Sequence, residues 1–232
     1  MNKTKVFIAT SLAILTMAFS GIAQVTGKVS DTDIAGGLKE ALGKGIKSAV
    51  SLLGKDNGFL LNSRVKIPLP KSLQKLEKGM RLAGQGKSVD EFVASMNHAA
   101  EKAVPVAIDV FVNALKQMTF DDARKILFSK QDDSATQFFR KTSEETLRGK
   151  FRPIVEEFTA KTGVTQKYKT MVGKAGFAAQ FLGKDATDLD GYVTQKALDG
   201  LFLIVADEEK KIRKDPIGRT TSLLRKVFGI LK

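Results

Sequence analysis

"KALDGLFLIVADEEKK", residues 196–211, is the stretch on which the fold turns. Leu201 to Ala206 is an unbroken apolar run, and on a helix the side chains from Ala197 to Ala206 point in every direction. A helix that is apolar on several sides is one that other elements surround. A central buried helix is therefore predicted near 189–214, leaving the core for water at "DEEKKIRKD". The run is far too short to cross a bilayer, which takes about 20 apolar residues. Asp199 breaks the pattern. It follows Gln195 by one turn and Lys196 by three residues, so a local ion pair is available to it. It matters functionally only if a pocket opens beside it.

Helical periodicity extends outward from this stretch. Ile34, Leu38, Leu42, Ile46, Val50 and Leu53 form one stripe, interrupted by Gly36, Gly37, Gly43 and Gly45, each of which costs about 1 kcal/mol against alanine if exposed. "KDNGF" reads as a turn and "RVKIPLP" as extended chain, since a residue before proline is pushed out of the helical region. Leu73, Leu76 and Met80 make a short stripe that Gly84 stops. "SVDE" at 88–91 has the form of a capping box opening a long helix. Pro105 should kink or divide that helix, with Phe111, Leu115 and Met118 beyond it. Thr119 caps a short helix through Leu127. One or two helices follow, with starts near Ser134 and Thr142 and a stop at Gly163. Others are expected from Val164 and from Thr220 or Thr221. No composition break divides the chain. The expected class is all-α: one multi-helix bundle with at most one short extended segment near 64–68.

The N-terminus has the form of a signal peptide over residues 1–23. Lys3 and Lys5 precede an apolar run from Val6 to Phe19, and Gly21 and Ala23 hold the small positions before a cut near Ala23. An uncleaved anchor is the rival reading. Cleavage leaves 24–232 as the domain and removes two of the charges in a formal net of +13. A periplasmic or secreted protein is expected, with no transmembrane segment after cleavage and an open oligomeric state. There is no cysteine, so no disulfide framework supports the fold and packing alone must stabilise it. The positive balance favours anionic partners. Export, the lack of tryptophan, and tyrosine only at Tyr168 and Tyr192 argue against nucleic acid.

Four sets of residues invite a chemical reading. Ser72 with Lys75, Ser95 with Asn97, and Lys161-Thr162-Gly163 match S-x-x-K, S-x-N and K-T-G in the order of penicillin-binding enzymes. Here, however, K-T-G closes a helix instead of forming an edge strand. His98 is the only histidine and falls beside Lys102, so it reads as a solvated surface residue and no metal or cofactor is implied. "DATDLDG" fails as a calcium loop, because Ala186 and Ala197 stand at the essential first and twelfth places; it reads as a helix cap with acids in the first turn. Asn97 and Glu101 border the buried arc of their helix. They could line a polar spot in a pocket or make a hydrogen bond that fixes packing.

The basic cluster carries more. Between Arg64 and Lys87 the bases are Arg64, Lys66, Lys71, Lys75, Lys78, Arg81 and Lys87, against the single acid Glu77. Lys71, Lys75, Lys78 and Arg81 are the candidates for contact with an anionic partner or a membrane surface. The alternative is a solvated face.

Several stretches together resemble an exported bacterial family known as domain-of-unknown-function family 4197. They are "KIPLPKSLQKLEKGMRLAG" (66–84), "VDEFVASMNHAAEKAVP" (89–105), "ALKQMTFDDARKIL" (114–127), "GVTQKYKTM" (163–171), "DLDGYVTQKALDGLFLIVADEEKKIRKDP" (188–216) and "RTTSLLRKVFG" (219–229). The resemblance implies an all-helical exported domain. It brings no established activity and assigns no catalytic residue.

The leading expectation is a periplasmic helical binding or interaction protein that engages apolar or anionic envelope components such as lipids. Two other classes stand beside it: a carboxylate-dependent enzyme with a cleft near Asp199 or Glu101, and a structural partner-binding module.

Overall fold

The computed structural model describes residues 30–163 and 188–214, apart from the side chains of Lys75 and Leu76. The signal peptide expected over 1–23 and the helices expected from Val164 and from Thr220 or Thr221 lie outside the described residues. Everything within them is helix, turn or coil, and no strand is formed. Within the stretch expected to be extended, 63–65 are turn and 66–70 have no regular structure.

Helix α1, Asp31–Leu53, opens with a reciprocal capping box between Ser30 and Asp33. A loop and one 3-10 turn, Lys71–Leu73, lead to α2, Gln74–Leu82. Gly84, in the left-handed region at φ 77°, ends it. Helix α3, Gly86–Ala103, begins two residues before the "SVDE" box. Ser88 therefore lies inside the helix and caps nothing, and Asp90 instead pairs with Arg81 of α2. The glycine turn sets this start, because it delivers the chain to Gly86 already curving.

Pro105 divides the next helix as expected. α3 stops at Ala103, a 3-10 turn covers Val104–Val106, and α4 runs Ala107–Gln117. Thr119 and Asp122 then make the capping box of α5, Phe120–Leu127. Between Ser134 and Lys161 there is one helix, α6, running through Pro153, with Thr142 in its interior. Gly163, at φ 66°, follows its end.

Helix α7, Leu189–Lys214, is the central element, packed against α6, α1 and α3. Ala197, Leu198, Leu201, Phe202, Ile204 and Val205 are buried. The Phe111 ring meets Phe139 at 5.4 Å and Phe202 at 5.9 Å, both edge to face, so three helices share one aromatic cluster. The helix is not enclosed all round. Lys196, Asp199, Leu203 and Asp207 form a stripe at helical spacing that faces outward.

The buried acid Glu209 accounts for the junction of α5, α6 and α7. Its carboxylate accepts the Ala135 and Thr136 backbone N–H groups at 2.9 and 2.8 Å and the Thr136 hydroxyl at 2.9 Å. It thus caps α6 from another helix, where Asp133 supplies no side-chain cap. Arg213, one turn further on, donates to Glu209, to the Ile126 carbonyl and to Ser134.

Candidate functional site

The site is built on a stretch without regular structure. After α1 the chain turns at Asn57, which takes the left-handed conformation at φ 62°, and runs irregularly to Pro70. Two side chains of α3 hold it. The Glu101 carboxylate, 2% exposed, accepts the N–H groups of Asn57 at 3.1 Å, Phe59 at 2.9 Å and Leu60 at 3.1 Å. One turn earlier Asn97, wholly buried, accepts the Ile67 N–H at 2.8 Å and donates to the Ile67 carbonyl at 2.9 Å and the Val93 carbonyl at 2.8 Å. Both residues act on main chain of a loop, which is a packing role of a different kind from a bond between helices. Neither lines the groove described below. His98 is not simply solvated: its Nδ1 lies 2.7 Å from Glu101 Oε2, which draws the ring down onto the helix surface.

Held in this way, the segment lies across α7. Gly200 makes the close approach possible, since a Cβ there would come within 2.8 Å of Phe59 Cε1 and 3.2 Å of Val65 Cβ. The Tyr192 hydroxyl donates to the Pro68 carbonyl at 3.0 Å and ties the far end down. Arg64 forms a two-point ion pair with Asp207, and that hydrogen-bonded carboxylate raises the Arg64 pKa further.

Between this segment and α7 lies a groove of about 690 Å³. Val65, Leu69, Tyr192 and Leu203 supply its apolar surface, and Arg64, Lys66, Lys71 and Lys196 supply positive charge. Asp199 is the one acid in its lining among the described residues. Its carboxylate receives the Gln195 amide at 3.0 Å and lies 3.6 Å from Arg140 and 4.0 Å from Lys196. The ion pair available in the sequence is thus formed, at a half-exposed position. Arg64 and Lys196 have carboxylate neighbours, whereas Lys66 and Lys71 are exposed and have no ion pair among the described residues.

The basic residues singled out from the sequence separate here. Lys71 lines the groove. Lys78 is exposed on α2, and the side chain of Lys75 lies outside the described part. Arg81 is held by Asp90 at 2.7 Å and Glu77 at 3.0 Å, bonds that raise its pKa, so its charge is already matched. Arg64, Lys66, Tyr192 and Lys196 line the groove too. The last two stand one turn apart in the sequence, a signal that could have marked the outward face of α7.

The penicillin-binding trio does not come together as a site. Ser95 and Thr162 hydrogen-bond each other at 2.9 Å, Lys161 is taken by Glu157, and Ser72 lies in the groove lining. Asp188, just before α7, accepts the Gly191 N–H at 3.0 Å, which is the capping role expected of that acidic stretch. Among the described residues no three metal-ligating side chains gather, and no helix is long and apolar enough to cross a membrane.

The model of one protein family, described as "Protein of unknown function (DUF4197)", matches residues 28–229. No curated protein and no solved structure matches the chain.

Proposed function

The chain belongs to that family, which brings no activity with it, and from the groove we propose that the protein is a binding protein of the bacterial envelope that holds an anionic ligand. One observation carries this reading: among the described residues Lys66 and Lys71 have no acidic partner, and they stand on one wall of a concavity whose other wall is α7. Cations in a recess attract an anion more strongly than the same charges on a convex face, because low-dielectric walls focus the field. Leu69, Tyr192 and Leu203 add apolar surface on which the rest of a ligand can lie. The export signal read at residues 1–23 supports the compartment.

The groove supports binding better than catalysis. Glu101 is occupied by three main-chain N–H groups and His98, away from the groove. Asp199 borders the groove with its carboxylate engaged by Gln195 and two cations.

Co-sedimentation with anionic and neutral vesicles, alongside retention on an anionic polymer resin, tests the proposal. The protein should bind at least one anionic probe in a salt-sensitive manner, and Lys66→Glu with Lys71→Glu should weaken it at least tenfold. Lys47→Glu with Lys116→Glu makes the same charge change at exposed sites on α1 and α4 and should leave most of the affinity. Equal losses in the two double variants would reduce the effect to net charge and end the groove reading.

A further inference from the structure

The groove does not end where Lys66 and Lys71 do. Tyr192 and Lys196 also line a second concavity, of about 500 Å³, with Arg148 and Arg152 on its wall. In the other direction Arg64 also lines a third, of about 760 Å³, with Lys210, Lys211 and Lys214 around it. The shared residues join the three end to end. Their floor is one face of α7 from Asp188 to Lys214, a length of about 40 Å at 1.5 Å per residue. Among the described residues nine basic side chains line this trough against four acids, Asp188, Asp199, Asp207 and Glu208. Every compartment contains cations. The Arg64–Asp207 pair crosses at one junction, with half of the Arg64 side chain still exposed.

The distribution selects among anionic ligands. A ligand with a single charged head would need cations in one compartment and apolar lining in the rest. Here the charge recurs along the length. A bilayer would favour a protruding apolar surface, but the four most exposed large apolar side chains described, Leu61, Leu82, Phe120 and Phe128, are not in the lining, which holds the less exposed Leu52 and Leu203. A single-stranded nucleic acid would need stacking platforms. Tyr192 is the one aromatic residue in the lining among the described residues, and its ring has the Lys196 ammonium 5.9 Å from its centre.

We propose that the trough along α7 binds a linear anionic polymer without bases, a chain of repeated phosphate or carboxylate groups lying lengthwise across Lys196, Lys66, Lys71 and Arg64. This rests on the groove reading above and extends it from one anionic group to many.

The test uses inorganic polyphosphate of graded length, with binding to the full chain measured over a range of salt. Affinity should rise with length until the polymer spans the trough and then level off. Each neutralised contact contributes about 0.7 to the log–log salt slope for a flexible polyanion. The two central lysines alone give a slope near 1.4, whereas the net lining charge of five, nine bases less four acids, gives about 3.5. Arg148→Glu at one end and Lys211→Glu at the other should each weaken long chains roughly tenfold and leave tripolyphosphate unchanged. Affinity independent of length, with both end variants silent, would overturn the trough while leaving the groove reading intact, provided Lys66→Glu with Lys71→Glu still weakens binding at least tenfold. If that double variant is silent as well, both fall. A single-stranded oligonucleotide bound as tightly as polyphosphate of equal charge would overturn the base-free assignment. Anionic vesicles showing the same dependence on Arg148 and Lys211 would overturn the polymer in favour of a membrane surface.

Discussion

Asn97 and Glu101 stand one turn apart on α3 and grip the main chain of the same segment, at Ile67 and at Asn57 to Leu60. The segment has no regular hydrogen-bonding pattern of its own, so these two side chains replace the ladder that a strand or helix would supply. Glu101→Gln turns an acceptor of three N–H groups into a group that is half donor. It should cost about 2–4 kcal/mol, and Asn97→Ala about 2–3 kcal/mol, because each leaves buried main-chain groups unpaired. Urea unfolding of the two variants measures this. Losses below about 0.5 kcal/mol would show that the segment is held by something else.

Gly200 is a second point of control. An alanine methyl would press on Phe59 and Val65, so Gly200→Ala should destabilise by about 1–3 kcal/mol through overpacking. It should also lift the segment from α7 and change anion binding. An unchanged melting temperature with unchanged binding would contradict the close approach.

Glu209 and Arg213 form the most enclosed ion pair described, at 3% and 10% side-chain exposure. Removing the acid leaves a buried guanidinium and an uncapped α6. Glu209→Ala should therefore cost about 3–5 kcal/mol. Hydrogen exchange at the Ala135 and Thr136 amides should accelerate before that of the α3 core, since those two amides lose their acceptor.

The cap of α5 predicts a pH effect. The Thr119 hydroxyl, and then the Thr119 N–H, hold the Asp122 carboxyl below the usual aspartate range. A carboxyl lowered in the folded state stabilises above its unfolded pKa, and that contribution is lost as pH falls through the folded value. Thr119→Ala should cost about 1 kcal/mol at pH 7. The gap between wild type and variant should narrow in acid, as urea midpoints from pH 7 to pH 2 would show. A gap that widened in acid would have the wrong sign.

The fold was more legible than the site. The apolar run after Asp199, the break at Pro105, the Thr119 box and the stop at Gly84 are local signals, and each produced the expected element. "SVDE" misled because the glycine turn before it had already started the helix, and a box works only where the chain enters. Partners were harder to read. Glu101 reaches residues more than 40 positions away, and Glu209 reaches α6 from 73 and 74 positions away. Neither distance leaves a periodic trace. Glu209 and Arg213 are further concealed within "DEEKKIRKD", where alternating charge reads as a solvated helix end. Arg81 shows the reverse case, a base that looks available in the sequence until Asp90 comes beside it across the α2–α3 turn. Lys66 gains its meaning only from where Asn97 places the neighbouring Ile67.

The anchoring of 57–67 through main-chain groups has a consequence for how this protein can change over time. Glu101 and Asn97 reach N–H and C=O groups that every residue except proline offers in full. The side chains at 64 and 66 can then be exchanged without moving the wall that carries them. Recognition and architecture are written in different atoms of the same residues, so relatives can keep the wall in place while altering what it holds.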